Sequence, residues 1–160
     1  MRTSAIVLLT SLVAVVVSCG GDSDDATPDG ADDRFGFGSD GLDPCGLADE
    51  AILSDHFGDA APIGEPTEAG PVTGCSWSDV NANSLLIQTA QDFALYRPDP
   101  CDRCADIGFG DDGYAAESPL QSTAQVVDGS LWLSVTTTGF GDDNASIIAL
   151  LEIIHRNATG

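Results

Sequence analysis

The sequence predicts an α+β fold: an antiparallel sheet of about four to five strands with an N-terminal and a C-terminal helix packed on it. Three observations carry this. Leu47, Ala48, Ala51, Ile52 and Phe57 recur at helical steps, with Asp49, Glu50 and Asp55 on the other side. Between Cys75 and Thr137, short apolar runs are punctuated by turn residues. Ile147, Ile148, Leu150, Leu151 and Ile154 make a wide apolar stripe near the end of the chain.

Each element follows from local chemistry. Leu47 to Phe57 reads as a short amphipathic helix stopped by Gly58, and Ala61 to Gly74, dense in Pro and Gly, reads as loop. Cys75 to Val80 and Ser84 to Phe93 are expected as strands joined at Asn81-Ala82-Asn83. Past the break at Arg97-Pro98-Asp99-Pro100, strands are expected at Tyr114 to Glu117, Ala124 to Val127 and Ser130 to Thr137. Asp128-Gly129 is the strongest hairpin signal in the chain, because both positions of its two-residue turn need a positive φ. Leu131, Leu133 and Val135 should share one face, with Trp132 on the other. Asn144 is the expected cap of a last helix, Ala145 to Arg156.

The first residues read as an export signal. Arg2 supplies a positive start, Ala5 to Val17 is apolar apart from Thr10 and Ser11, and the segment is too short to span a bilayer. Val16-Val17-Ser18-Cys19 resembles a bacterial lipobox, in which the cysteine takes a diacylglycerol and becomes the new first residue. This divides the chain into a lipoprotein signal peptide, 1–18, an acidic tether rich in Gly, Asp and Ser, 19–41, and a single α+β domain, 42–157. The expected location is the cell membrane, lipid-anchored through Cys19 and facing the extracytoplasmic side.

Charge removes whole classes of partner. The chain has 26 acidic residues against five arginines and no lysine, a net charge of −21. Nucleic acid is excluded as a partner, since phosphate recognition is built on Lys and Arg, and so is adsorption to anionic head groups. The acidity is read first as solubility or a salty habitat, the alternative being a cation-binding or cationic-partner role.

With Cys19 committed to lipid, Cys45, Cys75, Cys101 and Cys104 remain, and an exported protein meets oxidising conditions. Of the three possible pairings, Cys45 with Cys75 and Cys101 with Cys104 is favoured, because pairing either member of the close pair elsewhere strands its neighbour. Cys101-Asp102-Arg103-Cys104 also has a redox reading, thiol and disulfide exchange, but its acidic neighbours would raise a thiol pKa. The phrase Gly-Phe-Gly recurs before acids at Gly36, Gly108 and Gly139 without the spacing of a calcium loop, and is read as turns. His56 and His155 have no nucleophile at motif spacing, so no catalytic residue, metal or cofactor is assigned.

Taken in order, the lipobox, the acidic tether, Leu42-Asp43-Pro44-Cys45-Gly46-Leu47, Gly74-Cys75-Ser76-Trp77, Ile107-Gly108-Phe109-Gly110-Asp111-Asp112-Gly113-Tyr114 and the closing apolar helix resemble the actinobacterial cell-envelope lipoproteins of unknown function, of the mycobacterial LprB and LprC type. The resemblance covers most of the chain from Leu42 onward. It implies a structural disulfide between Cys45 and Cys75 and no catalytic residues, and Cys101 and Cys104 depart from its pattern. The expected function is that of a non-enzymatic binding module for an envelope protein or a small apolar ligand, the alternative being a thiol–disulfide oxidoreductase or other envelope enzyme that uses Cys101 and Cys104.

Overall fold

A computed structural model describes residues 42–95, 97–98 and 101–160. The expected signal peptide, Cys19 and the expected tether lie outside the described residues.

The expectation of four to five strands is corrected: there are seven, in one antiparallel sheet of order β1-β2-β3-β7-β6-β5-β4. They are β1 Glu65–Ala69, β2 Val72–Ser78, β3 Ser84–Gln91, β4 Cys104–Asp106, β5 Asp112–Glu117, β6 Gln121–Asp128 and β7 Leu131–Thr138. Two meanders, β1-β2-β3 and β4-β5-β6-β7, are joined where β3 pairs with β7 from Ser84↔Thr138 to Gln91↔Leu131. The two strands absent from the sequence reading are the edges. All five side chains of β1 are exposed, so it has no apolar alternation to detect, and β4 has only three residues.

The N-terminal helix is corrected too. Pro44–Leu47 forms a 3-10 turn, Ala48 is extended, and α1 runs only from Glu50 to Phe57. The break is set by capping: Asp43 accepts from the Cys45 N–H at 2.9 Å and Asp49 from the Ile52 N–H at 2.9 Å. The 3-10 turn, and not α1, lies against β2 and β3. Only Ile52 of α1 is fully buried.

The last helix, α2, runs from Asn144 to Thr159. Its cap is Asp143, not Asn144: the Asp143 carboxylate accepts from the Ser146 N–H at 2.8 Å. Ile147, Leu150, Leu151 and Ile154 of α2 pack on Val126, Leu133 and Val135 of the sheet, with Leu85 and Ile87 completing the layer. Each such side chain contributes about 1.5–3 kcal/mol through burial. Asn157 Nδ2 donates to the Leu47 carbonyl at 2.9 Å, tying α2 to the first turn.

The opposite face of the sheet carries Trp132, Gln125 and Tyr114, and the chain between β3 and β4 crosses this side. Phe93 packs on Trp132 with ring centroids 4.8 Å apart. Arg97 sits over the Tyr114 ring at 5.5 Å while donating to Asp106 at 2.9 Å, Asp112 at 3.1 Å and the Gly113 carbonyl at 2.9 Å. The hydrogen bond to Asp106, offset in part by desolvation, holds the guanidinium pKa above its ordinary value.

Turn chemistry fixes the hairpins. The β6–β7 hairpin is corrected by one residue: Asp128 pairs with Leu131 inside the ladder, the two-residue turn is Gly129-Ser130, and of Asp128 and Gly129 only the glycine has a positive φ, 60°. Between β2 and β3, the Asp79 carboxylate accepts from the N–H groups of Asn81 and Asn83 at 2.8 and 2.9 Å, and Ala82 is driven to φ 65°. Desolvation works against ionisation there, yet the bonds from Asn83 and Asn81 outweigh it and leave the carboxyl below its ordinary range. Strand β2 therefore stops at Ser78 and Val80 is fully exposed, short of the expected strand end.

Two predictions follow from this frame. Cys45 and Cys75 are bonded, with Cα atoms 5.0 Å apart across 30 residues of chain. A Cys45→Ala, Cys75→Ala double variant should lose about 3 to 4 kcal/mol of unfolding free energy in urea, from the chain entropy of a loop that length. An unchanged urea midpoint would refute this. At Asp143, hydrogen bonds from Ser146, its backbone N–H first, hold the carboxyl pKa below the ordinary value. A depressed folded pKa adds stability above the unfolded value of about 3.9 and loses it as pH falls through the folded value. Asp143→Ala should thus lower the thermal midpoint at neutral pH, and the gap from the parent should close on acidification below about pH 4.

Candidate functional site

The repeated Gly-Phe-Gly phrase supplies the first piece of the site. In Gly139-Phe140-Gly141, both glycines have left-handed backbone, φ 84° and 73°, and the loop between β7 and α2 turns on them. Phe140 is thereby set against α1, edge-on to His56 at 5.3 Å and to Phe57 at 5.2 Å between ring centroids. The earlier copy does the same at the other end of α2: Phe109 packs on His155 at 5.4 Å, and His155 Nε2 donates to Asp128 at 2.9 Å. Of the two copies within the described residues, each is a turn whose phenylalanine packs on a helix.

Beyond Phe140, α1 and α2 flank an open groove of about 580 Å³. From α1 and its cap come Asp49, Ala51, Ile52, Asp55 and His56. From α2 come Ser146, Ala149, Leu150 and Ile153, at the steps of one helix face, with Asp142 just ahead of the helix. The floor is apolar and the rim acidic. Ile52 and Leu150 are buried, whereas Ile153 is 37% exposed and Ala51 and Ala149 are open to solvent.

His56 Nδ1 donates to the Ile52 carbonyl at 3.0 Å, since a carbonyl can only accept; the other ring nitrogen is then an acceptor when the ring is neutral. Asp49 is occupied with capping α1. Asp142 differs: its backbone carbonyl accepts from the Ser122 hydroxyl, but Oδ2 is buried and without a hydrogen-bond partner. Asn144 Oδ1, close by in the chain, is also buried without a partner, although its Nδ2 donates to the Arg103 carbonyl at 3.1 Å and its N–H to Glu117 at 3.2 Å. A buried oxygen left without a donor costs about 1–3 kcal/mol.

The cysteines lie away from this groove. Cys45–Cys75 sits beneath the first turn: Cys75 is fully buried beside Trp77, and a Cβ on Gly64 would stand 2.7 Å from the Cys75 sulfur and 2.8 Å from the indole nitrogen. It joins the 3-10 turn to strand β2. Cys101 and Cys104 are bonded with Cα atoms 5.5 Å apart, and Cys104 opens strand β4. A redox pair has its first cysteine at a helix start, where the dipole lowers the thiol pKa; here the pair leads into a sheet edge. Among the described residues, no three His, Cys, Asp or Glu are gathered to hold a metal, and no helix is long and apolar enough to cross a membrane.

Sequence reasoning missed the groove because its walls are far apart in the chain. The available signal was Ala149 and Ile153, which extend the apolar stripe of α2 past the width that the sheet covers.

No family model, no curated protein and no solved structure matches the chain.

Proposed function

We propose that the domain is a non-enzymatic binding module of the cell envelope, of the lipoprotein type its motifs resemble, held to the membrane by lipid on Cys19 and taking its ligand in the groove between α1 and α2. The single observation that supports this reading most is the groove. Its volume of about 580 Å³ falls in the range of small-molecule and side-chain pockets, and an apolar floor with a few polar groups at the rim is the usual composition of such sites. The ligand is an envelope protein or small molecule with an apolar body, not a polyanion.

The sheet shows why the groove is available. The side chains of α2 that face the sheet are all consumed by the core, so the apolar residues on its α1 side are surplus to folding. A helix that buries one face and leaves a second apolar strip uncovered is retaining a surface for something else.

The groove is tested with N-phenyl-1-naphthylamine, a neutral fluorophore that brightens in apolar surroundings. The full chain carries Cys19→Ala, so that no acyl chain of its own takes up the dye. Saturable binding is expected, and Ala149→Trp should weaken it by about tenfold or more by filling the trough. The thermal midpoint should not move, because Ala149 is exposed. Equal binding by parent and Ala149→Trp would sink the assignment. For the anchor, mass spectrometry of the native mature amino terminus should find diacylglycerol on Cys19; an unmodified cysteine there removes the tethering.

A further inference from the structure

We infer that the occupant of the groove is a basic amphipathic helix presented by a protein partner. This rests on the reading of the groove as the binding site and adds the chemistry of what binds. The first ground is charge complementarity: Asp49, Asp55 and Asp142 line the groove and no Lys or Arg does. Arg103 lies in the separate small pocket on the other side of Asp142. An apolar trough rimmed by three carboxylates, with His56 and Ser146 the other polar side chains of its lining, attracts a cationic apolar segment and repels an anionic one.

The second ground is position: Asp142 joins the lining just ahead of α2, so a lysine or arginine at that end of a bound helix meets a carboxylate. The third ground is shape. Ser146 to Ile153 extends about 10 Å along α2, enough to seat two turns of a facing helix, and the alanines at 51 and 149 leave the trough open along that length. Laying an apolar helix face into a groove between two helices is an established mode of peptide recognition, and Lys or Arg at the margins of that face would meet the rim.

The experiment uses the full chain with Cys19→Ala at about 0.15 M salt, where exposed charges more than about 8 Å apart are screened. The probes are a labelled helical peptide of leucine and lysine and a second peptide with glutamate in place of every lysine. The lysine peptide should bind and displace N-phenyl-1-naphthylamine, and the glutamate peptide should not bind. Asp142→Asn, which keeps the shape of the side chain, should weaken the lysine peptide about tenfold. Glu68→Gln, the same change of charge on the exposed β1 strand, should leave it unchanged. Equal losses in the two variants, or binding of the glutamate peptide, would show attraction by net charge alone and overturn the inference. If the fluorophore binds and the lysine peptide does not displace it, the inference fails while the groove stands; if neither binds, both fail.

Discussion

The corner formed by Cys45, Cys75, Trp77 and Gly64 is the constraint on which the rest of the structure depends. Cys75 and Trp77 alternate on the same face of β2 and are both buried, so the bond from Cys45 brings the 3-10 turn down onto the sheet at its most apolar point. Gly64 then has to pass against sulfur and indole with no room for a side chain. This close approach launches β1, a strand with five exposed side chains and no core of its own to hold it. Its place in the sheet comes from ladder hydrogen bonds to β2 and from the corner at its start. Once the 3-10 turn is fixed, Asp49 can start α1 only beside it, and Asn157 anchors the far end of α2 to the same turn through the Leu47 carbonyl. The groove is therefore the gap between a helix placed by the disulfide and a helix placed by the sheet.

The joining of the two meanders sets the other half of the architecture. Because β3 pairs with β7, the chain leaving β3 has to travel past β7, β6 and β5 to reach the edge at β4. It does so on the face without helices, where Phe93 on Trp132 and Arg97 over Tyr114 hold it. The Cys101–Cys104 bond closes this crossing immediately before β4. A three-residue edge strand has little pairing energy, and the arginine clamp to Asp106 and Asp112 with the short disulfide holds it at both ends. In this position the Cys-x-x-Cys element does structural service at an edge that would otherwise fray.

How much of this was legible depends on whether a signal was local. The β6–β7 hairpin, though its turn falls on Gly129-Ser130, one residue past the expected pair, and the apolar stripe of α2 were, because a two-residue turn and a helix of four turns each carry their pattern in adjacent residues. The N-terminal helix was misread because Leu47 and Ala48 extend the apolar spacing backwards across a break that two aspartate caps impose. Strand β1, read as loop, shows the limit of periodicity: with both faces exposed, Glu-Pro-Thr-Glu-Ala has no reason to alternate. The groove was illegible for a different reason, since its walls come from residues near 50 and near 150, and the phenylalanine packed against α1 sits in a motif whose glycines were read only as a turn.

The acidity is more than a solvating coat. With five arginines and no lysine, this chain has few cations to offer its carboxylates, and it uses backbone N–H groups in their place. Asp43, Asp49, Asp79, Asp111, Asp112 and Asp143 each accept at least one, at 2.8 to 2.9 Å, and in doing so end a strand, start a helix or pin a turn. Apart from Asp111, which reaches Gly129 on another turn, they act locally, because the short side chain reaches the N–H of a residue one to four places on with little entropy lost. Against that pattern Asp142 stands out: it lies in the same Gly-Phe-Gly-Asp-Asp phrase as the capping Asp143, at the mouth of the same helix, and it has a buried oxygen with no donor. The position next to it shows how readily a donor is found when the fold needs one. Among these aspartates, that buried oxygen, on a residue that also lines the groove, is where the folded chain leaves a hydrogen bond unmade.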